Sequence, residues 1–206
     1  MEAAPRLVPV VVPRSPLGAV LVLHGGASRG DRMMVSPTQL SVIRMIPTAK
    51  AAARAGRGRL AVYRLLNSFR GWDDDHTPVA DARWGLGQVR SELGDLPMGL
   101  IGHSLGGRAA LLSGDQPGIE SVVALNPWVY PSDQADLGGR RVLIVHGLRD
   151  RVASPSRARA VARNLSRTAE VDFVEIPEGK HAMLRHGREF DRRAAEFTAR
   201  ALSSRV

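Results

Sequence analysis

Three residues of this chain combine the side chains and settings that acyl transfer needs. Ser104 lies in Gly102-His103-Ser104-Leu105-Gly106, directly after the apolar run that begins at Met98. Asp150 follows the apolar run 142–145, and His181 follows 171–176. A serine hydroxyl is a weak nucleophile at neutral pH. It attacks a carbonyl when a neighbouring base takes its proton, and that base must be oriented by a third group. His181 suits the base, and Asp150 suits the acceptor for its other ring nitrogen. A strand that turns abruptly into a helix would hold Ser104 in a strained conformation at the apex. Gly102 and Gly106 carry no Cβ, so strand and helix can approach there.

Other residues compete for these roles. Asp133 and Asp136 follow the run 121–125 and offer an alternative acid, while Asp73, Asp74 and Asp75 form an acidic turn that reads as solvated or structural. His186 is the rival base, but it stands next to a helical stretch and lacks the strand-to-loop setting of His181. Alternation along a strand points His103 away from the serine, so core packing is its expected role. For His146, structural hydrogen bonding is expected.

The elements that must position these residues are legible as apolar runs. Buried strands are expected at 19–23, 60–66, 98–101, 121–125, 142–145 and 171–176, and 7–12, interrupted by Pro9, reads as an edge strand. Helical spacing recurs over 38–55, 79–93, 105–113, 156–165 and 188–202. Strands alternating with helices predict an α/β fold, a mostly parallel sheet covered on both faces, in one domain over 1–206. Ser104, Asp150 and His181 each follow a different strand at its C-terminal end, where open α/β sheets assemble their sites.

The pentapeptide at Ser104 resembles the nucleophile elbow of the α/β-hydrolase superfamily, and the order serine, aspartate, histidine is the one that superfamily uses. The resemblance implies that the backbone N–H of Leu105 helps hold the oxyanion of a tetrahedral intermediate. Val20-Leu-Val-Leu-His-Gly-Gly-Ala is similar to the superfamily's His-Gly segment, which implies a second donor at Gly26 or Ala27 and a bracing role for His24. Only 131–140 lies where a cap is often inserted, so a small capless member is expected. Its pocket would be shallow or covered by loops 28–37, 70–78 and 128–137, with Trp128 and Met183 as candidate walls for the acyl group. A pairing of Arg70 with Asp81 would hold loop 67–78 against the sheet. The implied activity is that of a carboxylesterase or thioesterase acting on small or accessible acyl esters through an acyl-enzyme, with no metal and no organic cofactor. The same serine would serve an acyltransferase, perhydrolase or peptidase, and a non-catalytic ligand-binding protein of this fold is the remaining alternative. The chain has no cysteine, which excludes a cysteine nucleophile.

Composition bounds the rest. A hydrophobic content of 44% with 24% charged residues belongs to an ordinary globular protein. No apolar run approaches the ~20 residues that span a bilayer, and no signal peptide is visible, so a cytoplasmic location is expected. The net charge of +9 comes with two lysines, Lys50 and Lys180, and scattered arginines without interleaved aromatics. A nucleic-acid partner is therefore not expected. If His181 is the base, catalytic efficiency declines at acidic pH, because an imidazolium cannot accept a proton.

Overall fold

Segments such as Val20-Leu-Val-Leu and Val142-Leu-Ile-Val carry apolar side chains on both faces, so they are stable only in a sheet covered on both sides. The computed structural model describes residues 3–26 and 32–203 and has that architecture. The strands are β1 (Arg6–Val11), β2 (Gly18–Leu23), β3 (Leu60–Leu66), β4 (Met98–His103), β5 (Ile119–Leu125), β6 (Arg141–Gly147) and β7 (Glu170–Ile176). They form one seven-stranded sheet in the order β1-β3-β2-β4-β5-β6-β7. All neighbours are parallel except β1, which runs antiparallel to β3 on the edge. An edge tolerates Pro9, whose missing N–H would break an interior ladder.

The helices are α1 (Leu40–Ile43), α2 (Met45–Ala55), α3 (Thr77–Leu93), α4 (Leu105–Ser113), α5 (Pro155–Leu165) and α6 (Gly187–Ser203). One face of the sheet packs Leu21, Leu100 and Ile144 against α3, α4 and α5, and the other packs Val22, Ile101 and Val145 against α2 and α6. The mostly parallel sheet with helices on both faces is thus the expected fold class. The single helix expected over 38–55 is instead two, interrupted at Arg44. Pro47 explains the interruption: it has no N–H to donate to the carbonyl of Ile43, and its ring crowds that carbonyl. Among the described residues no helix is long and apolar enough to cross a membrane.

The expected pairing of Arg70 with Asp81 does not form. Asp81 is buried in α3 and accepts hydrogen bonds from the Ser68 N–H at 2.7 Å and the Ser68 hydroxyl at 2.8 Å, while Arg70 turns toward Met33. A short hydroxyl beside a backbone N–H satisfies a buried carboxylate without drawing a long guanidinium into the core.

The chain steps outward from β2 to β3, then crosses back to place β4 on the other side of β2. Ligands in open α/β sheets bind where this reversal leaves a crevice beyond the carboxyl ends. Here that crevice lies between Gly25–Gly26, after β2, and Ser104, after β4.

Candidate active site

Ser104 occupies the turn between β4 and α4 with φ 56° and ψ −117°. A non-glycine residue in this region is strained and persists only where its surroundings impose it. The surroundings are close on both sides. A Cβ at Gly102 would run into the Gly106 carbonyl, and a Cβ at Gly106 would run into the backbone at Leu23 and His24. The turn is pinned from the sheet by the Ser104 N–H donating to the Leu125 carbonyl at 3.0 Å, and the Trp128 N–H donates to the Ser104 carbonyl at 3.1 Å.

Asp150 and His181 arrive on loops after β6 and β7. These loops touch backbone to backbone because Gly147 and Gly179 face each other where a side chain would not fit. The Leu148 N–H donates to Ile176 and the Arg149 N–H to Gly179, each at 3.0 Å, which ties the two loops together. Asn126, fully buried at the end of β5, extends the tie. Its side-chain oxygen accepts from the Gly147 N–H at 2.7 Å, and its side-chain nitrogen donates to the carbonyls of Lys180 and His181, each at 3.1 Å. Asn126 has φ 41°, a conformation asparagine tolerates better than most side chains.

The three side chains meet in series. Ser104 Oγ lies 2.9 Å from His181 Nε2, and His181 Nδ1 lies 2.8 Å from Asp150 Oδ2. A carboxylate beside Nδ1 places the ring proton there, so Nε2 presents a lone pair to the serine hydroxyl. The Asp150 side chain has 0% exposure, and its other oxygen accepts from the N–H groups of Val152 at 2.8 Å and Ala153 at 2.9 Å. Burial pushes the Asp150 carboxyl up. Hydrogen bonds from His146, His181 and the Ala153 backbone, with the charge of His181, outweigh burial and hold it well below the usual carboxylate range. Asp150 is therefore held as the carboxylate.

His103 and His146, expected as core and structural residues, both lie under this series. The His103 ring packs 5.0 Å from that of His181, and its Nε2–H donates to the His181 carbonyl at 2.8 Å. The His146 Nε2–H is shared between the Ala153 carbonyl at 3.2 Å and Asp150 Oδ2 at 3.5 Å. The competing acids are engaged elsewhere. Asp133 takes a bidentate hydrogen bond from Arg108 and another from the Tyr130 N–H, Asp136 accepts from Gly138, and Asp73 accepts from Thr77 at the start of α3. The His186 imidazole stands just before α6, with its Nε2 buried and making no hydrogen bond among the described residues.

Leu105 is the first residue of α4, so its N–H lies outside the helix's own hydrogen-bond ladder and beside Ser104. Gly26 packs against the Arg70 carbonyl so closely that no Cβ fits. Ala27 and the first part of loop 28–37 lie outside the described residues. Trp128 is half-buried, with its ring edge-on to Tyr130. Met183 is not a wall of the site: at 1% exposure it belongs to the core on the α2 and α6 face. Its backbone explains this, since the Met183 N–H closes a turn on Lys180 and φ of 53° swings the side chain inward.

Two buried histidines tie this region to pH. His24 accepts the Asn67 N–H on Nε2 at 3.1 Å, which requires a neutral ring, and burial with nearby Arg64 lowers its pKa to about 4. Burial and the neighbouring His181 lower that of His103 to about 3. Both values lie below the unfolded histidine value of about 6.5, so protons bind the unfolded chain first as pH falls. Their stabilisation is complete above about pH 6.5 and is lost on descent towards 4, at on the order of 2 kcal/mol per pH unit between pH 6 and 5. Urea unfolding at pH 7, 6 and 5 measures this slope. His24→Asn is expected to reduce it by about half, and an unchanged slope would assign the effect to other groups.

The sheet, its crossover and the sharp turn at Ser104 define the α/β-hydrolase fold. Solved structures agree. Est1E from Butyrivibrio proteoclasticus matches with a TM-score of 0.69 at 15% identity, covering 97% of this chain and 94% of that one. XC6422 from Xanthomonas campestris, described as an α/β serine hydrolase without a lid, matches at 0.68 and 18% identity, covering 95% and 87%. The esterase domain of a Rhodothermus marinus protein matches at 0.68 and 14% identity, covering 97% and 99%. No family model and no curated protein matches the sequence. Like the lidless structure, the sheet carries no separate cap: residues 126–140 between β5 and β6 contain no helix or strand.

Proposed function

We infer that this protein is a serine hydrolase cleaving carboxylic esters or thioesters with small or accessible acyl groups. The observation that carries the reading is the series Ser104–His181–Asp150, within hydrogen-bonding distance at a strained elbow beyond the sheet's carboxyl edge; the carboxylate at Nδ1 favours the tautomer that leaves His181 Nε2 free to accept. Ser104 Oγ attacks the carbonyl carbon and gives its proton to His181 Nε2. The oxyanion is held by the N–H of Leu105 and by the Gly26–Ala27 backbone, a donor pair of which each member contributes roughly 3–4 kcal/mol to the transition state. The intermediate collapses, the carbon–oxygen or carbon–sulfur bond breaks, and His181 returns the proton to the leaving group. Water then adds to the acyl-enzyme through His181, releasing the acid and restoring the Ser104 hydroxyl.

The cleft of about 610 Å³ beside His181 is open to solvent, which favours water over a second acyl acceptor in the last step. Turnover of p-nitrophenyl esters of graded chain length tests the reading. Release of p-nitrophenol is expected to be fastest for the acetyl to butyryl esters and to fall for long chains, because no cap supplies a deep apolar wall. No turnover of any ester would contradict it.

A further inference from the structure

The cleft beside His181 has a chemistry that the hydrolytic series does not use. Its walls include Leu148, Arg149, Arg151, Val152 and Lys180. Asp150 also borders it, but its buried carboxylate is fully engaged, so the charge the cleft presents is cationic. Arg149 is partly neutralised by Glu178 at 2.9 Å. Among the described residues Arg151 and Lys180 make no ion pair, and both side chains are exposed. The same cleft carries uncovered apolar surface: Val152 is 65% exposed and Leu148 40%. A cleft that combines exposed apolar surface with two unpaired cations, Lys180 next to His181 and Arg151 next to Asp150, complements a molecule with an apolar body and an anionic end.

The direction of the chemistry decides which part of the substrate lies there. In the hydrolytic reading, on which this inference rests, His181 Nε2 hands its proton to the leaving oxygen, so the leaving group stands against His181. The cleft is bordered by His181 but not by Ser104, so the part of the substrate that would reach it is the leaving group, passing the imidazole away from the serine-bound acyl group. We propose that this protein selects esters whose alcohol portion carries an anionic oxyacid group, carboxylate or phosphate, on an apolar ring or short chain, with Arg151 and Lys180 as the specificity-determining residues. The phenol or alcohol leaves with its anion still bound to the cations. The bonds made and broken are those of ordinary ester hydrolysis.

Matched esters test this. The carboxylate arm compares 4-acetoxybenzoate with its neutral methyl ester, and the phosphate arm compares 4-acetoxyphenyl phosphate with phenyl acetate. Each rate is divided by the rate of hydroxide-catalysed hydrolysis to remove leaving-group reactivity. The charged member is expected to be preferred in kcat/KM by about fivefold to tenfold, mainly through KM, the size given by two exposed charge contacts. The preference shrinks as salt is raised, because exposed charges are screened. The arm with the larger ratio identifies the anion. Arg151→Gln with Lys180→Gln brings the ratio toward one, and Arg151→Glu inverts it.

Labelling of Ser104 by a fluorophosphonate separates the two claims, since it reports the activated serine whatever the substrate. A protein that labels but shows no preference, prefers the neutral esters, cleaves neither member, or keeps its preference in the double variant overturns the anion selectivity and leaves the serine assignment standing. A protein that does not label overturns both. A preference for p-nitrophenyl hemiglutarate alone, with the anion on the acyl side, also overturns the proposal.

Discussion

Ser104→Ala is expected to lower kcat for ester cleavage by about 10⁵–10⁶-fold while leaving the fold intact. The hydroxyl is the only atom removed, and its partner is His181 Nε2 at 2.9 Å. The backbone strain at φ 56° is the same for alanine, so the thermal midpoint should stay near that of the parent. Progress curves with p-nitrophenyl acetate, measured beside calorimetry of both proteins, check the two halves. Turnover that persists within tenfold in a folded alanine variant would mean that another group attacks the ester.

Asp150→Asn is expected to cost about 10⁴-fold in kcat, with the substrate's KM little changed. The asparagine oxygen can still accept from Val152 and Ala153, as Asp150 Oδ1 does now at 2.8 and 2.9 Å, so the loop keeps its shape. The amide nitrogen then faces His181 Nδ1 and donates to it. That forces the ring proton to Nε2, where it points at Ser104 and cannot accept the serine proton. The loss comes from a wrong tautomer rather than a missing contact, so Asp150→Ala should lose the orientation of His181 as well. A steady-state comparison of the two variants with His181→Ala checks this. An asparagine variant within a few-fold of the parent would indicate that another group sets the tautomer, with His146, 3.5 Å from Asp150, the first to examine.

Much of the frame is legible in the sequence because buried parallel strands are short, continuously apolar and bounded by turn residues. Each of the six strands expected to be buried appears, and 98–101 runs on to His103. Five are interior, whereas 171–176 belongs to the edge strand β7, which exposes Asp172 and Glu175 and is not buried as expected. Chain order also indicates that Ser104, Asp150 and His181 each follow a different strand at its C-terminal end; β5 lies between the strands of Ser104 and Asp150. What brings them within hydrogen-bonding distance is not legible. Asn126 reaches the His181 carbonyl across 55 positions, and His103 reaches it across 78, so nothing local marks either contact. The face-to-face approach of Gly147 and Gly179 is equally long-range, although the glycines are visible. Asparagine between the end of β5 and Pro127 is a readable sign of an unusual turn, but its side-chain partners belong to loops not yet assembled at that point in the chain. Met183 illustrates the converse. Its neighbourhood to His181 in sequence suggests a place at the site, whereas the positive φ that turns it into the core depends on the folded loop. The helix break at Arg44 is local, and Pro47 is sufficient to account for it.

Brief mixing with p-nitrophenyl acetate, acid quenching and peptide mass spectrometry tests most directly whether Ser104 carries the acyl group. The account predicts an acetyl group on the peptide containing Ser104, lost on longer incubation in water and absent from Ser104→Ala. An acetyl group on a different residue, or rapid turnover with no acylated peptide at any mixing time, would contradict it.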